Sequence, residues 1–265
     1  MFAIRTKVRL ANILTMRLGG LGMISKVVPA VADAVAGVAD GDTILVGGFG
    51  RAGQPVELID ALLAQGARDL TIVSNNAGNG DVGLAALLAE GRVRKMVCSF
   101  PRQADSHVFD ALYRAGKVEL ELVPQGNLAE RIRAAGAGIG AFFTPTGVGT
   151  VLAEGKETRS IDGRDYVLEY PIRAQFALIS AFKGDRWGNL VYRKTARNFG
   201  PIMATAAAIT VAQVDEIVEL GVLDPETVVT PGIFVNRVVQ VPERDWLRGG
   251  RFVGQQESAA TGATA

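Results

Sequence analysis

The sequence predicts an α/β protein: an open, mostly parallel sheet with helices on both faces. Three observations lead there. Short runs rich in valine, isoleucine and leucine recur at 43–46, 70–74, 95–99, 118–123, 141–144, 176–182 and 208–214. Most are apolar at consecutive positions, as strands covered on both faces must be. Helical patterns at 29–37, 55–65, 83–90, 107–114 and 127–135 stand between them, and alternation of strand and helix favours parallel crossovers. Neither a repeat nor an interior linker breaks this order, so residues 23–245 read as one domain.

Each element carries its own signal. The stretch DGDTILVGGFGRAGQPVELIDAL, residues 40–62, runs from a strand into a glycine loop. Pro55 then opens a helix, where its missing N–H costs nothing. Such a loop lets backbone amides approach a ligand, and a helix N-terminus beyond it favours negative charge. Gly48, Gly50 and Gly53 also fit the spacing of a dinucleotide fingerprint. That reading requires an acid at the end of the next strand to hold a ribose. Ser74, Asn75 and Asn76 stand there instead, which disfavours a nicotinamide site. A glycine turn needed only for tight packing is the plain alternative.

Four further loops follow predicted strands: SNNAGNGD (74–81), SFPRQ (99–103), PQGNLAER (124–131) and FTPTGVGT (143–150). Ligands of open α/β sheets bind at that carboxyl edge. Asn75, Asn76, Gln125 and Asn127 offer neutral donors and acceptors suited to orienting a carbonyl or an amide. Each alone is an ordinary turn residue; their recurrence after successive strands favours function. Residues 154–169 read as a polar hairpin, and 250–265 as a disordered tail.

Composition excludes several classes. The chain has 265 residues, 48% hydrophobic, enough to bury a sizeable core. Glycines and charges break every apolar run before the roughly 18 residues a membrane span needs. Cys98 is the only cysteine, which excludes an internal disulfide and fits a reducing, cytoplasmic setting. His107 is the only histidine, so a Cys/His metal site or a Ser-His pair has little to work with. Cys98 reads as a core thiol and His107 as a capping or surface residue. Trp187 could line an acyl pocket or serve as a loop aromatic, and Lys194 and Arg197 could meet phosphates or form a solvated face.

The net charge is +1, but Arg5, Lys7, Arg9 and Arg17 lie in residues 1–22 without an acid. The remainder is mildly acidic, a poor match for a nucleic-acid backbone. Residues 1–22 are expected to be a disordered extension or a mis-assigned start, not a targeting signal, because charges interrupt the apolar run and no small-residue cleavage site comes after it.

The stretch from Asp40 to Pro55, DGDTILVGGFGRAGQP, resembles the glycine signature of family I CoA-transferases, and SNNAGNGD, PQGNLAERIRAAGAGIGAFFTPTGVGT and GDRWGNLVYRKTARNF resemble further blocks of their α (A) subunit, from about residue 23 to residue 241. Among the branches of that family, SFPRQADSHVFDALYRAGKVELELVPQGNLAER and KGDRWGNL look most like the one acting on 3-oxoadipate; the acetoacetate branch is the alternative. The resemblance implies a NagB/RpiA/CoA-transferase-like fold. It implies CoA as substrate with no permanently bound cofactor, succinyl-CoA and 3-oxoadipate as reactants, and a B subunit in an A2B2 assembly. Gly47, Gly48, Phe49, Gly50, Arg51, Ala52 and Gly53 would bind CoA. Asn75, Asn76 and Gln125 would lie beside the reacting thioester. Because a dicarboxylate keeps one anion after the other carboxyl reacts, Arg102 is expected to hold it. The family's nucleophile is a glutamate in a Glu-Asn-Gly type motif on the B subunit. No Glu-Asn pair occurs in this chain, so no catalytic nucleophile is expected here. A non-catalytic binding subunit of the same fold is the remaining alternative.

Overall fold

Along the first strand, Ile44 and Val46 point into one apolar cluster and Leu45 into a second. This period of two, with both faces buried, sets the architecture. The computed structural model describes residues 24–102, 105–241, 244–245 and 251–252. The chain runs α1 (Val31–Ala34), β1 (Thr43–Val46), α2 (Val56–Gln65), β2 (Leu70–Val73), α3 (Leu84–Ala89), β3 (Val93–Cys98), α4 (His107–Arg114), β4 (Glu119–Leu122), α5 (Gln125–Gly136) and β5 (Phe142–Thr144). It continues through β6 (Thr158–Ile161), β7 (Arg164–Glu169), β8 (Ala174–Asp185), β9 (Leu190–Val191), α6 (Gly200–Ala206), β10 (Ala207–Val218), β11 (Arg237–Gln240), β12 (Arg244–Asp245) and β13 (Arg251–Phe252).

The main sheet has the order β11-β10-β8-β1-β2-β3-β4, all parallel, with β9 folded back antiparallel on β8. Leu58, Ile59 and Leu62 of α2, Leu84, Leu87 and Leu88 of α3 and Phe109 of α4 pack on one face. Leu128, Ile132 and Ala135 of α5 and Met203 of α6 pack on the other. The two-faced α/β sheet is thus as the sequence predicts. Gly136 lets α5 approach α6, since a Cβ there would lie 2.0 Å from Thr205 Oγ1.

The order has a functional consequence. From β1 the chain steps outward through β2, β3 and β4, then returns to place β8 on the other side of β1. The gap between the carboxyl ends of β1 and β8 is therefore a topological switch point, where ligands of such sheets bind.

Three features depart from the sequence expectation. The run at 141–144 forms β5, but it pairs with β7 in a separate antiparallel sheet, β5-β7-β6. The hairpin supplies its partner, and β4 remains the edge of the main sheet, lined by Glu119 and Glu121 in ion pairs with Arg94, Lys95 and Arg131. Charges of this kind discourage further pairing. The loop 143–150 accordingly extends from a strand of the small sheet, not of the main one. Second, α6 and β11 are present although no pattern announced them; Pro201 in the first turn of α6 is the local signal. Third, within the expected tail, Arg251–Phe252 pairs with Arg244–Asp245. The expected extension 1–22 and the rest of the tail lie outside the described residues. No helix among the described residues is long and apolar enough to cross a membrane.

Candidate functional site

The glycine loop leaves β1 as a continuation of the sheet, with Gly47 N donating to Leu178 O at 2.9 Å. Phe49 and Ala52 then close a tight turn by exchanging N–H···O bonds of 3.0 and 3.1 Å. Gly48 adopts φ +122 and Gly53 φ +70, regions that side chains disfavour. At Gly53 a Cβ would also lie 2.2 Å from Ala196 O. Both glycines are thus required by geometry, one for the turn and one for close backbone approach.

Asn198, a residue that sequence reasoning did not single out, holds this loop. Its Oδ1 accepts from Gly48 N at 3.1 Å, and its Nδ2 donates to Ala52 O at 2.9 Å and to Thr195 O at 2.8 Å. One amide therefore stitches the loop to the 3-10 turn Lys194–Arg197. Tyr192 anchors the same segment. Its hydroxyl bonds Thr230 Oγ1 at 2.8 Å, and burial pushes the phenol up to about 12, so it stays neutral. The only local hint of Asn198 is an asparagine just before a helix start, which suggests a cap, not a clamp. With the amides of Gly47, Gly48, Phe49 and Ala52 engaged, those of Gly50, Arg51 and Gly53 have no partner among the described residues.

The loop after β2 holds two buried asparagines, each 2% exposed. Asn75 Oδ1 accepts from Ser99 Oγ and from Gln125 Nε2, both at 2.8 Å. Asn76 Oδ1 accepts from Gly78 N at 3.1 Å. Both oxygens are committed, so both Nδ2 groups are left as donors with no partner among the described residues. Ser106 Oγ, donating to Gly78 O at 3.0 Å, fastens the loop from below. Asn75, Asn76 and Gln125 are thus brought together, with Ser99 as a support that the sequence did not reveal. A pair of oriented amide donors can hydrogen-bond a carbonyl oxygen that gains negative charge.

The other candidates fall elsewhere. Arg102 Nε donates to Asp110 Oδ1 at 2.6 Å, across to α4, and is more than half exposed. Asn127 turns inward, with Nδ2 3.3 Å from the buried Glu169 Oε1 and 3.4 Å from Thr146 O. His107 is exposed at the first residue of α4. Cys98 is fully buried and burial pushes its thiol up to about 12, which leaves an inert core group. Trp187 stands half exposed on a turn built by Asp185, which accepts from Trp187 N at 2.9 Å and Asn189 N at 3.0 Å. No cluster of three His, Cys, Asp or Glu side chains arranged for a metal occurs among the described residues.

Fold and site together define an α/β protein whose loops at the carboxyl edge of a parallel sheet present neutral amide donors. The chain belongs to the coenzyme A transferase family, whose model matches residues 28–241. It is 74% identical over 219 residues to the A subunit of the 3-oxoadipate CoA-transferase of Pseudomonas putida, covering 83% of this chain and 95% of the relative. It is 54% identical over 207 residues to the A subunit of the succinyl-CoA:3-ketoacid coenzyme A transferase of Xanthomonas campestris pv. campestris, covering 78% and 85%. Among solved structures, an acyl-CoA transferase of Escherichia coli O157:H7 in a thioester complex with CoA is similar with a TM-score of 0.77 and 25% identity. That likeness covers 86% of this chain, which spans about half the length of the Escherichia coli protein.

Proposed function

We propose that this chain is the A subunit of a two-chain enzyme that moves CoA from succinyl-CoA to 3-oxoadipate during degradation of aromatic compounds. One observation carries the reading: in a coenzyme A transferase chain, Asn75 and Asn76 keep both amide nitrogens uncommitted at the carboxyl edge of the sheet. The choice of 3-oxoadipate over acetoacetate is supported by 74% identity to the one relative against 54% to the other.

The chemistry proceeds through the B subunit's glutamate. Its carboxylate attacks the thioester carbonyl of succinyl-CoA, the C–S bond breaks, and CoA leaves as thiolate with a succinyl-glutamyl anhydride behind it. The thiolate attacks the glutamyl carbonyl and succinate departs. The carboxylate of 3-oxoadipate then attacks the glutamyl-CoA thioester, and the released thiolate returns to the oxoadipyl carbonyl, freeing the glutamate. Every addition places negative charge on a carbonyl oxygen. A carboxylate is a weak nucleophile toward a thioester, so donors aimed at that oxygen supply much of the acceleration. Asn75 and Asn76 Nδ2 fill this role, with Gln125 holding Asn75 in place. The amides of Gly50, Arg51 and Gly53 face the CoA chain. Arg102, released from Asp110, holds the second carboxylate of the acid. The assembly is A2B2, and the compartment is the cytoplasm.

The test is reconstitution. This chain alone is expected to show no CoA exchange and no borohydride-reducible glutamyl-CoA thioester; addition of the B subunit is expected to produce both, with the adduct on B. A covalent CoA adduct on this chain would overturn the division of labour.

A further inference from the structure

The transfer chemistry leaves one deeply buried carboxylate without a part. Glu169, the last residue of β7, is 3% exposed, and its partners come from α5 and from the turn before β6. Its Oε1 accepts from Lys156 Nζ at 2.7 Å and from Asn127 Nδ2 at 3.3 Å, and its Oε2 lies 3.7 Å from Arg131 Nε. We propose that Glu169 is a positioning residue: through Asn127 it fixes the first turn of α5 and so holds Gln125 against Asn75. The proposal rests on the transferase reading and on Asn75 as the donor in it.

Local sequence does not hold that turn. The helix α5 starts after Pro124 with no side-chain cap, and its first residues are Gln125, Gly126 and Asn127. Glycine inside a helix costs about 1 kcal/mol relative to alanine, and asparagine is a poor helix former as well. A Cβ added at Gly126 would meet open space, so that glycine answers no packing demand. A turn this weak takes its position from tertiary contacts. Asn127 provides them, with Nδ2 shared between Glu169 Oε1 and Thr146 O, the latter at 3.4 Å.

The end of β7 is also held one helical turn further along. Arg131, four residues beyond Asn127 and so on the same face of α5, donates from Nε to Tyr170 O at 2.7 Å and from Nη1 to Glu121 Oε1 at 2.9 Å. Its own carbonyl accepts from Ile172 N at 3.0 Å. The strand end is thus pinned along α5 and not at a single atom. A buried ion pair adds little stability over apolar residues of the same volume, so the charge points to placement. A shift of about 1 Å at a positioning group is enough to cost a large factor in rate, and the Gln125 to Asn75 bond of 2.8 Å starts two residues from Asn127.

The assembled enzyme is assayed with Asn127→Ala, Glu169→Ala and Gln125→Ala, singly and in pairs. Asn127→Ala leaves Glu169 against Lys156 and Arg131, so it decides the matter even where Glu169→Ala does not assemble. Each single change is expected to lower kcat by about tenfold, with KM for succinyl-CoA and for 3-oxoadipate within about twofold of the parent values. All three act on the same Asn75 amide. Either change combined with Gln125→Ala is therefore expected to cost no more than about tenfold, where independent sites would multiply to about a hundredfold. The multiplied loss in the pair, a rise in KM without loss of kcat, or unchanged kcat in Asn127→Ala would overturn the proposal. Absence of transfer by the unaltered enzyme would instead overturn the transferase reading. The link is then decided by nuclear magnetic resonance of the full chain: exchange of the Gln125 Nε2 protons with water must quicken at least about fivefold in Asn127→Ala for the link to stand.

Discussion

Gln125 Nε2 donates to Asn75 Oδ1 at 2.8 Å, joining the first residue of α5 to the loop after β2. Ser99 Oγ donates to the same oxygen, so the orientation of the Asn75 amide is settled by two donors from two other strand ends. The nitrogen is the group left to act.

This arrangement separates a donor from a scaffold. Asn75→Asp retains an oxygen for Ser99 and Gln125 but replaces the outward N–H donor by an acceptor. We predict that Asn75→Asp and Asn75→Ala both lower kcat by about a hundredfold to a thousandfold, as the loss of an oxyanion donor does. Gln125→Ala leaves the Ser99 bond and costs about tenfold. Near-normal kcat in Asn75→Asp would show that Asn75 only supports the loop.

For Arg102, the ion pair with Asp110 sets up a competition. Arg102→Ala is expected to reduce kcat/KM for 3-oxoadipate by about tenfold to several hundredfold, the roughly 1.5–3 kcal/mol of a charge-assisted bond. Acetoacetate, with no second carboxylate, is expected to lose far less. Asp110→Asn frees the guanidinium and is expected to leave 3-oxoadipate turnover intact. Equal losses for the two acids in Arg102→Ala would end the assignment.

Glu121 gives a pH dependence with a definite sign. Burial raises its carboxyl pKa, but hydrogen bonds from Lys95 at 2.6 Å and Arg131 at 2.9 Å outweigh burial and hold it below its ordinary value. A carboxyl depressed by folding stabilises the native state above its unfolded pKa, and that stability is lost as pH falls through the folded pKa. Glu121→Gln is expected to lower Tm by about 2–4 °C at pH 7, with the gap to the parent protein closing as the pH falls below the ordinary glutamate range. A gap that stays constant with pH would assign the effect to packing instead.

Cys98 is predicted to resist alkylation. With its thiol pushed up to about 12 by burial, the thiolate fraction at pH 8 is about one part in ten thousand. Iodoacetamide at pH 8 is expected to label the chain fully in denaturant and negligibly when folded, and Cys98→Ala is expected to keep transferase activity. Rapid labelling of the folded protein would mean that the strand opens or that the thiol reaches solvent.

The sequence by itself determined the alternation of strands and helices from β1 to α5, the two buried faces and the candidate loops. These are local consequences: apolar runs must be covered, and Gly48 and Asn75 sit at turns because of the residues within a few positions of them. Tertiary structure alone decided which loops meet. β8 lies beside β1, β5 leaves the main sheet for the hairpin, and Asn198 reaches Gly48 across 150 residues. Arg102 faces Asp110, and Asn75 loses both lone pairs of Oδ1 to groups 24 and 50 residues away. No spacing encodes such contacts, because each depends on which distant groups the sheet order brings within about 3 Å of one another. The type of each loop was therefore legible, while the direction of each amide and guanidinium was set only when the sheet closed around it.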